Sequence, residues 1–266
     1  MKNKKIPKTK LIQEVISLEH KLNRKPMKRD NSSLNYYARK LFGSWNNLMK
    51  ASGYEVKFYQ KINSIKFNED FAYFLGLLVT DGHIYFNKNL KNYKVAIYTS
   101  YPEEKEMLLK LIQYLFNYNA PVTSRMYGFN KKPNYEIRIE SKNLARIIMN
   151  DYDIPSGAKS LTVLMPTKIM NGSNKIKMAF LRGVIDGDGS IFNNNVKIAS
   201  GSIEFLNGLK KLLDDLTIFS GRIIKDNKIT NTFSIRICRR KDLIKIKSIY
   251  NAKYCYKRKK ENIDKI

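Results

Sequence analysis

Apolar positions recur along this chain with helical and strand spacing, in an order that runs twice. FAYFLGLLVTDGHIYF, from Phe71 to Phe86, is a near-continuous apolar run, and MAFLRGVIDGDGSIF, from Met178 to Phe192, repeats it. A shift of 107 positions pairs Ala72 with Ala179, Gly76 with Gly183, Asp81 with Asp188 and Gly82 with Gly189. Around each run the 3.6- and 2-residue periods predict the same series of elements. In the first copy these are a helix over 70–81, strands near 84–87 and 93–99, a helix over 103–116, strands near 122–127 and 135–140, and a helix over 142–150. In the second they are a helix over 176–187, strands within 190–198, a helix over 203–215, strands near 221–225 and 232–238, and a helix over 241–250. The fold class is therefore α+β, with two pseudo-symmetric αββαββα units over 67–170 and 171–266.

Ahead of them, residues 1–56 read as a small helical module and 57–66 as a short basic linker. Leu11, Ile12, Val15, Ile16, Leu18 and Leu22 recur at helical spacing and stop at Asn23-Arg24-Lys25-Pro26. A second helix starts near Asn31 or Ser32, a capping pair, and Phe42-Gly43-Ser44-Trp45 leads into a third that closes near Gly53. This stretch resembles the helical repeats found beside homing endonucleases, which implies a DNA-binding role. Lys28, Arg29, Arg39 and Lys40 would lie on its surface and suit contact with a phosphate backbone.

Charge narrows the partner. Fifty Lys and Arg against 23 Asp and Glu give a net charge of +27, far beyond what solubility requires. Residues 1–66 alone carry 16 basic and 4 acidic side chains. A polyanion is the expected partner, and double-stranded DNA fits best. A membrane is not expected, because no apolar run reaches the ~18 residues needed to span one. Two cysteines, Cys238 and Cys255, are too few for a disulfide framework and point to an intracellular setting.

Within the repeat, Ala72, Gly76 and Thr80 share one helix face, as do Ala179, Gly183 and Gly187. Such stripes let two helix backbones approach closely. Phe74, Leu77, Leu78, Phe180, Val184 and Ile185 are then left to anchor each helix in its own core. Asp81 and Asp188 close their helices, just before a glycine in the position where a left-handed C-terminal cap is expected. An acid is disfavoured at that negative end of the helix dipole. Two packed helices would bring both acids to one edge, where a divalent cation relieves their repulsion.

Leu75-Gly76-Leu77-Leu78-Val79-Thr80-Asp81-Gly82 and Leu181-Arg182-Gly183-Val184-Ile185-Asp186-Gly187-Asp188-Gly189 resemble the two motifs of a monomeric LAGLIDADG homing endonuclease. The resemblance covers about residues 67–262. It implies that Asp81 and Asp188 bind Mg²⁺ or Mn²⁺, helped by the backbone carbonyls of Thr80 and Gly187. It also implies a catalytic lysine late in each unit, Lys159 in the first and Lys259 in the second. The first motif departs from the family at Val79, where the second has Asp186; this is not the family's metal position. The reaction implied is phosphodiester hydrolysis on a long asymmetric site, leaving short 3′ overhangs and promoting mobility of an intron or free-standing gene.

Strand alternation puts Lys94, Tyr98, Arg125, Tyr127, Arg138 and Glu140 on an open face in the first unit, and Lys197, Arg222, Ser234 and Arg236 in the second. A basic β-ribbon of this kind fits a major groove. Two other readings share the fold: an RNA maturase assisting splicing, with intron RNA as partner, and a non-cleaving DNA-binding regulator. The retained acids count against the regulator, because carboxylates beside phosphates do not help a pure binder. An intein is disfavoured by Met1 and the closing Ile-Asp-Lys-Ile.

Overall fold

The computed structural model describes residues 6–56, 62, 65–87, 92–126, 133–192, 194–226 and 231–266. The chain forms two compact units, Met1–Gln60 and Lys61–Ile266.

The first unit contains helices α1 (Lys8–Leu22), α2 (Ser32–Phe42) and α3 (Trp45–Ala51). Leu11, Val15, Leu34, Ala38, Leu48 and Met49 fill its core, with Trp45 and Tyr54 packed against them. Asn31 caps α2 by accepting from the Leu34 amide at 2.9 Å, and Ser44 caps α3 by accepting from the Asn47 amide at 3.1 Å. Gly43 ends α2 with φ +76°, a conformation that glycine adopts without penalty. Ile16, expected on the apolar face, is 40% exposed at the edge of this small core.

The second unit realises the duplicated series. Copy one runs α4 (Glu69–Asp81), β1 (Gly82–Asn87), β2 (Asn92–Thr99), α5 (Pro102–Phe116), β3 (Val122–Arg125), β4 (Asn134–Ile139) and α6 (Lys142–Asp151). After a short α7 (Thr167–Met170), copy two runs α8 (Asn174–Asp188), β5 (Gly189–Phe192), β6 (Asn195–Ser200), α9 (Ile203–Asp215), β7 (Ile224–Lys225), β8 (Phe233–Ile237) and α10 (Arg240–Ile249). A further helix, α11 (Lys257–Asp264), follows. Each copy builds an antiparallel four-stranded sheet, ordered β1-β2-β4-β3 and β5-β6-β8-β7. Ile84, Val95, Ile97, Ile137 and Ile139 in one sheet, and Ile191, Val196, Ile198, Ile235 and Ile237 in the other, face a shared core.

Helices α4 and α8 are the centre of that core. Every residue from Phe71 to Val79 and from Ala179 to Asp186 is buried. A helix buried on all sides must meet something on each face. The bulky residues turn to the sheets, and the small stripes meet each other. A Cβ on Gly76 would run into the Phe180 carbonyl oxygen and come within 2.9 Å of the Gly183 Cα. A Cβ on Gly183 would strike the Tyr73 carbonyl oxygen, and one on Gly187 would strike Thr80 Oγ1.

The glycines that end both helices work differently from expectation. Gly82 (φ −100°, ψ 170°) and Gly189 (φ −77°, ψ 141°) are extended rather than left-handed, and each begins a strand. The helix passes directly into the sheet, so the backbone folds back on the preceding turn. A Cβ would collide with Leu78 at Gly82 and with the Ile185 carbonyl at Gly189. Close approach, not φ, requires glycine at both places.

In an isolated helix, alanine in place of glycine stabilises by about 1 kcal/mol. Gly183→Ala is expected to reverse that sign, because rigid backbone of the facing helix occupies the space a methyl needs. A loss of about 1–3 kcal/mol is expected in chemical denaturation; an unchanged or raised midpoint would contradict backbone contact at this position.

Candidate active site

Where α4 and α8 end, the glycine contact brings four predicted residues together. Asp81 Oδ2 lies 3.2 Å from the point a Cβ on Gly187 would occupy, so the first carboxylate reaches across to the residue preceding Asp188. Burial, then the charges of Asp188 and Glu104, push the Asp81 pKa up to about 6, against the opposing pull of Lys259 and Lys159. Asp188 is the more exposed acid, yet the protein around it still raises its pKa, with Lys159 and Lys259 acting in the other direction.

Both lysines are buried. Lys159 sits in the loop after α6, held by Gly157 N–H donating to the Ile84 carbonyl at 2.9 Å and Ser202 Oγ donating to the Val163 carbonyl at 2.7 Å. Its ammonium donates to the carbonyls of Val79 at 2.8 Å and Thr80 at 3.1 Å, satisfying the end of α4. Lys259 lies in α11 and donates to the Gly189 carbonyl. Burial lowers the pKa of each lysine; Asp188 and Asp81 pull Lys159 back up, while Arg258 depresses Lys259 further. The run from Lys257 to Lys260 is the first half of a packed helix.

Asp186 explains how that helix is placed. It is fully buried and accepts from Tyr73 Oη at 2.7 Å, Tyr250 Oη at 2.9 Å and the Tyr256 amide at 2.8 Å. Tyr73 belongs to α4, while Tyr256 is the residue before α11. One carboxylate thus joins the two copies and sets the start of the helix that carries Lys259. Burial outweighs these three donors and raises the Asp186 pKa to about 6. The departure at Val79 is therefore structural: copy one keeps an apolar side chain where copy two has a buried polar hub.

Glu104 and Arg258 also line the site, and neither was expected there. With Asp81, Gly187, Thr99 and Asn134 they border a cleft of about 230 Å³. In sequence Glu104 is one of two acids in the first turn of α5, a position acids favour for the helix dipole alone. Arg258 is hidden in a basic run.

The oxygen donors present fit a hard divalent cation. Among the described residues no group of three or more His, Cys, Asp and Glu could hold a metal. Two carboxylates with neighbouring helix-end carbonyls match a cation that keeps water and substrate oxygens in its shell.

The open sheet faces carry the predicted basic residues except Arg222, which lies just before β7, and acids sit among them. Lys94 pairs with Glu136 at 2.5 Å and Lys197 with Asp226 at 2.8 Å. Tyr98 Oη donates to Glu136 at 3.3 Å, and Ser234 Oγ donates to Asp226 at 2.7 Å. Arg138 shares the face with Lys94, and Arg125, Arg222 and Arg236 are exposed. Tyr127 lies outside the described residues. In the first unit Lys28, Arg29, Arg39 and Lys40 are exposed, and Lys28 and Arg39 border a cleft with Asn35 and Trp45.

Residues 175–250 match the model of the LAGLIDADG-like domain, and residues 6–55 match the homing endonuclease associated repeat. Over 153 residues the chain is 26% identical to the homing endonuclease I-ApeI of Aeropyrum pernix, covering 55% of this chain and 65% of that protein. A match to RNA polymerase subunit Rpo1C of Methanocaldococcus jannaschii is 25% identical over 163 residues, 59% of this chain and 17% of that one. The chain thus spans less than two thirds of either relative. Among solved structures, mesophilic variants of the homing endonuclease I-DmoI superpose with a TM-score of 0.54 at 21% identity, over 68% of this chain and 94% of theirs. I-DmoI in complex with DNA and Ca superposes with a TM-score of 0.55 at 20% identity, over 70% and 91%. At these identities the agreement concerns the fold: two sheet-and-helix units around paired helices.

The raised Asp81 pKa sets a direction for stability. Its folded value lies above its unfolded one, so its contribution is present below about pH 4 and is lost as pH rises through about 6. Without metal, Asp81→Asn is expected to be more stable than the wild type at pH 8, by on the order of 2 kcal/mol, and to show no gain at pH 4. Denaturant midpoints at the two pH values check this; the same difference at both would show that ionisation is not the cause.

Proposed function

We propose that this chain, a two-motif LAGLIDADG protein with a homing endonuclease associated repeat in its amino-terminal unit, is a site-specific double-strand DNA endonuclease. The observation that carries this reading is the meeting of Asp81 and Asp188, with Lys159 and Lys259 beside them, where the glycine-packed helices end. A carboxylate pair held against its own repulsion serves a binder of phosphates poorly and a hydrolase well.

Asp81 and Asp188, with the carbonyls of Thr80 and Gly187, would hold Mg²⁺ or Mn²⁺. When bound, the cation supplies an activated water and offsets charge on the phosphate and the leaving oxygen. The side chains do the rest. Lys159 and Lys259 offset phosphate charge from ammonium groups that the fold has already desolvated, so little reorganisation is needed. The open sheet faces, with Lys94, Tyr98, Arg125 and Arg138 in one half and Lys197 and Arg236 in the other, would lie along the duplex, with Arg222 just before β7 beside them. Glu136 and Asp226 keep the lysines in fixed positions and add acceptors that suit cytosine amino groups. Lys28, Arg29, Arg39 and Lys40 would extend backbone contact through the first unit. Both acids come from one chain, so a monomer suffices. Among the described residues no helix is long and apolar enough to cross a membrane.

The test is cleavage of the intronless host locus with Mg²⁺, beside Asp188→Asn. The wild type is expected to cut both strands at one position, and the variant to bind the DNA without cutting both. A wild type that leaves the locus intact would overturn the proposal. Rescue of intron splicing by the variant would favour the maturase reading instead.

A further inference from the structure

The Asp81 half of the site has a wall that the Asp188 half lacks. Glu104, third residue of α5, is buried; its Oε2 accepts from Thr99 Oγ1 at 2.5 Å and its Oε1 accepts from Arg258 Nε at 2.6 Å. Glu104 belongs to copy one, and Arg258 to α11, one residue before Lys259. The Arg258 guanidinium also lies over the Tyr101 ring, 4.5 Å from its centroid. Held by a carboxylate at Nε and a ring at its face, the guanidinium has little rotamer freedom left to lose on binding a ligand. The side chain nevertheless stays 39% exposed and borders the cleft with Asp81 and Gly187. A planar fork of N–H donors fixed beside the paired carboxylates is suited to a phosphate.

Among the described residues copy two has no such pair. Where α5 has Glu104 as its third residue, α9 has Phe205, which is buried and apolar. Where Arg258 precedes Lys259, Ala158 precedes Lys159. Both members are missing from the other half, so the pseudo-twofold symmetry of acids and lysines ends at this pair.

We propose that Arg258, positioned by Glu104 and Tyr101, binds a DNA phosphate in the Asp81 half of the site alone, so that the two strands of the target are cut through unequal half-sites. This rests on the endonuclease reading. Arg258→Ala by itself would leave Glu104 buried without its partner, and loss of folding could then mimic loss of function. The informative variant is therefore Glu104→Gln with Arg258→Ala, which leaves no uncompensated buried charge.

The experiment compares this double variant with the full-length wild type on the target duplex, each strand labelled separately, in single turnover with Mg²⁺. One strand is expected to be cut about a hundredfold more slowly, with nicked duplex accumulating, while the other strand changes little. Equal slowing of both strands, or of neither, would overturn the inference, since a merely structural pair affects both. The salt dependence of metal-free binding is measured alongside. Loss of one phosphate contact is expected to reduce the slope of log K against log salt by about 0.9, and an unchanged slope would also overturn it. A wild type that binds but does not cut would refute the endonuclease reading, while the slope would still decide whether Arg258 holds a phosphate.

Discussion

The contact between the backbones of α4 and α8 is the constraint on which the second unit depends. At Gly76 and Gly183 each helix presents bare backbone to the other, and a methyl on either would meet a carbonyl of its partner. That approach does three things. It buries both helices through their middle turns, Phe71 to Val79 and Ala179 to Asp186, which requires their outer faces to be apolar. It aligns their carboxyl ends, so Asp81 and Asp188 arrive together. It also places Tyr73 against Asp186, which fixes the start of α11 and hence Lys259. A looser pair of helices would keep both sheets and lose the site.

The site holds charge that the fold does not favour. Two acids end helices whose dipoles already make those ends negative, and burial raises the pKa of both. Lys159 and Lys259 relieve part of this by donating to nearby helix-end and strand carbonyls while standing beside the carboxylates. Ammonium groups and carboxylates desolvated by the surrounding protein thus disfavour their own charged forms and support each other's. Such an arrangement has little value for stability and suits a reaction in which negative charge enters and builds up.

Legibility in the sequence followed the scale of the signal. The duplication, element order and small-residue stripe were readable because each rests on repeated residues, and Asp81 and Asp188 stood out as acids at the wrong end of a helix. Glu104 gave no such signal: an acid in a first turn is the commonest place for one, and its partner lies 154 positions away. Asp186 was set aside for lacking a metal role, and its real partners, Tyr73, Tyr250 and Tyr256, are scattered. The helical form of 257–264 was masked by a polar sequence in which only Lys259 and Ile263 are buried. At Gly82 and Gly189 the residue type was read correctly and its reason wrongly, because direct passage from helix to strand is a tertiary constraint.

The packed helices are proposed to create a site that needs a cation. The most direct measurement is the thermal midpoint of the DNA-free protein at pH 8 as Mg²⁺ or Mn²⁺ is raised through the millimolar range. The midpoint of the wild type is expected to climb with metal by mass action, and that of the Asp81→Asn, Asp188→Asn double variant to stay level. A wild-type midpoint indifferent to metal, or a double variant that climbs in parallel with it, would contradict the account.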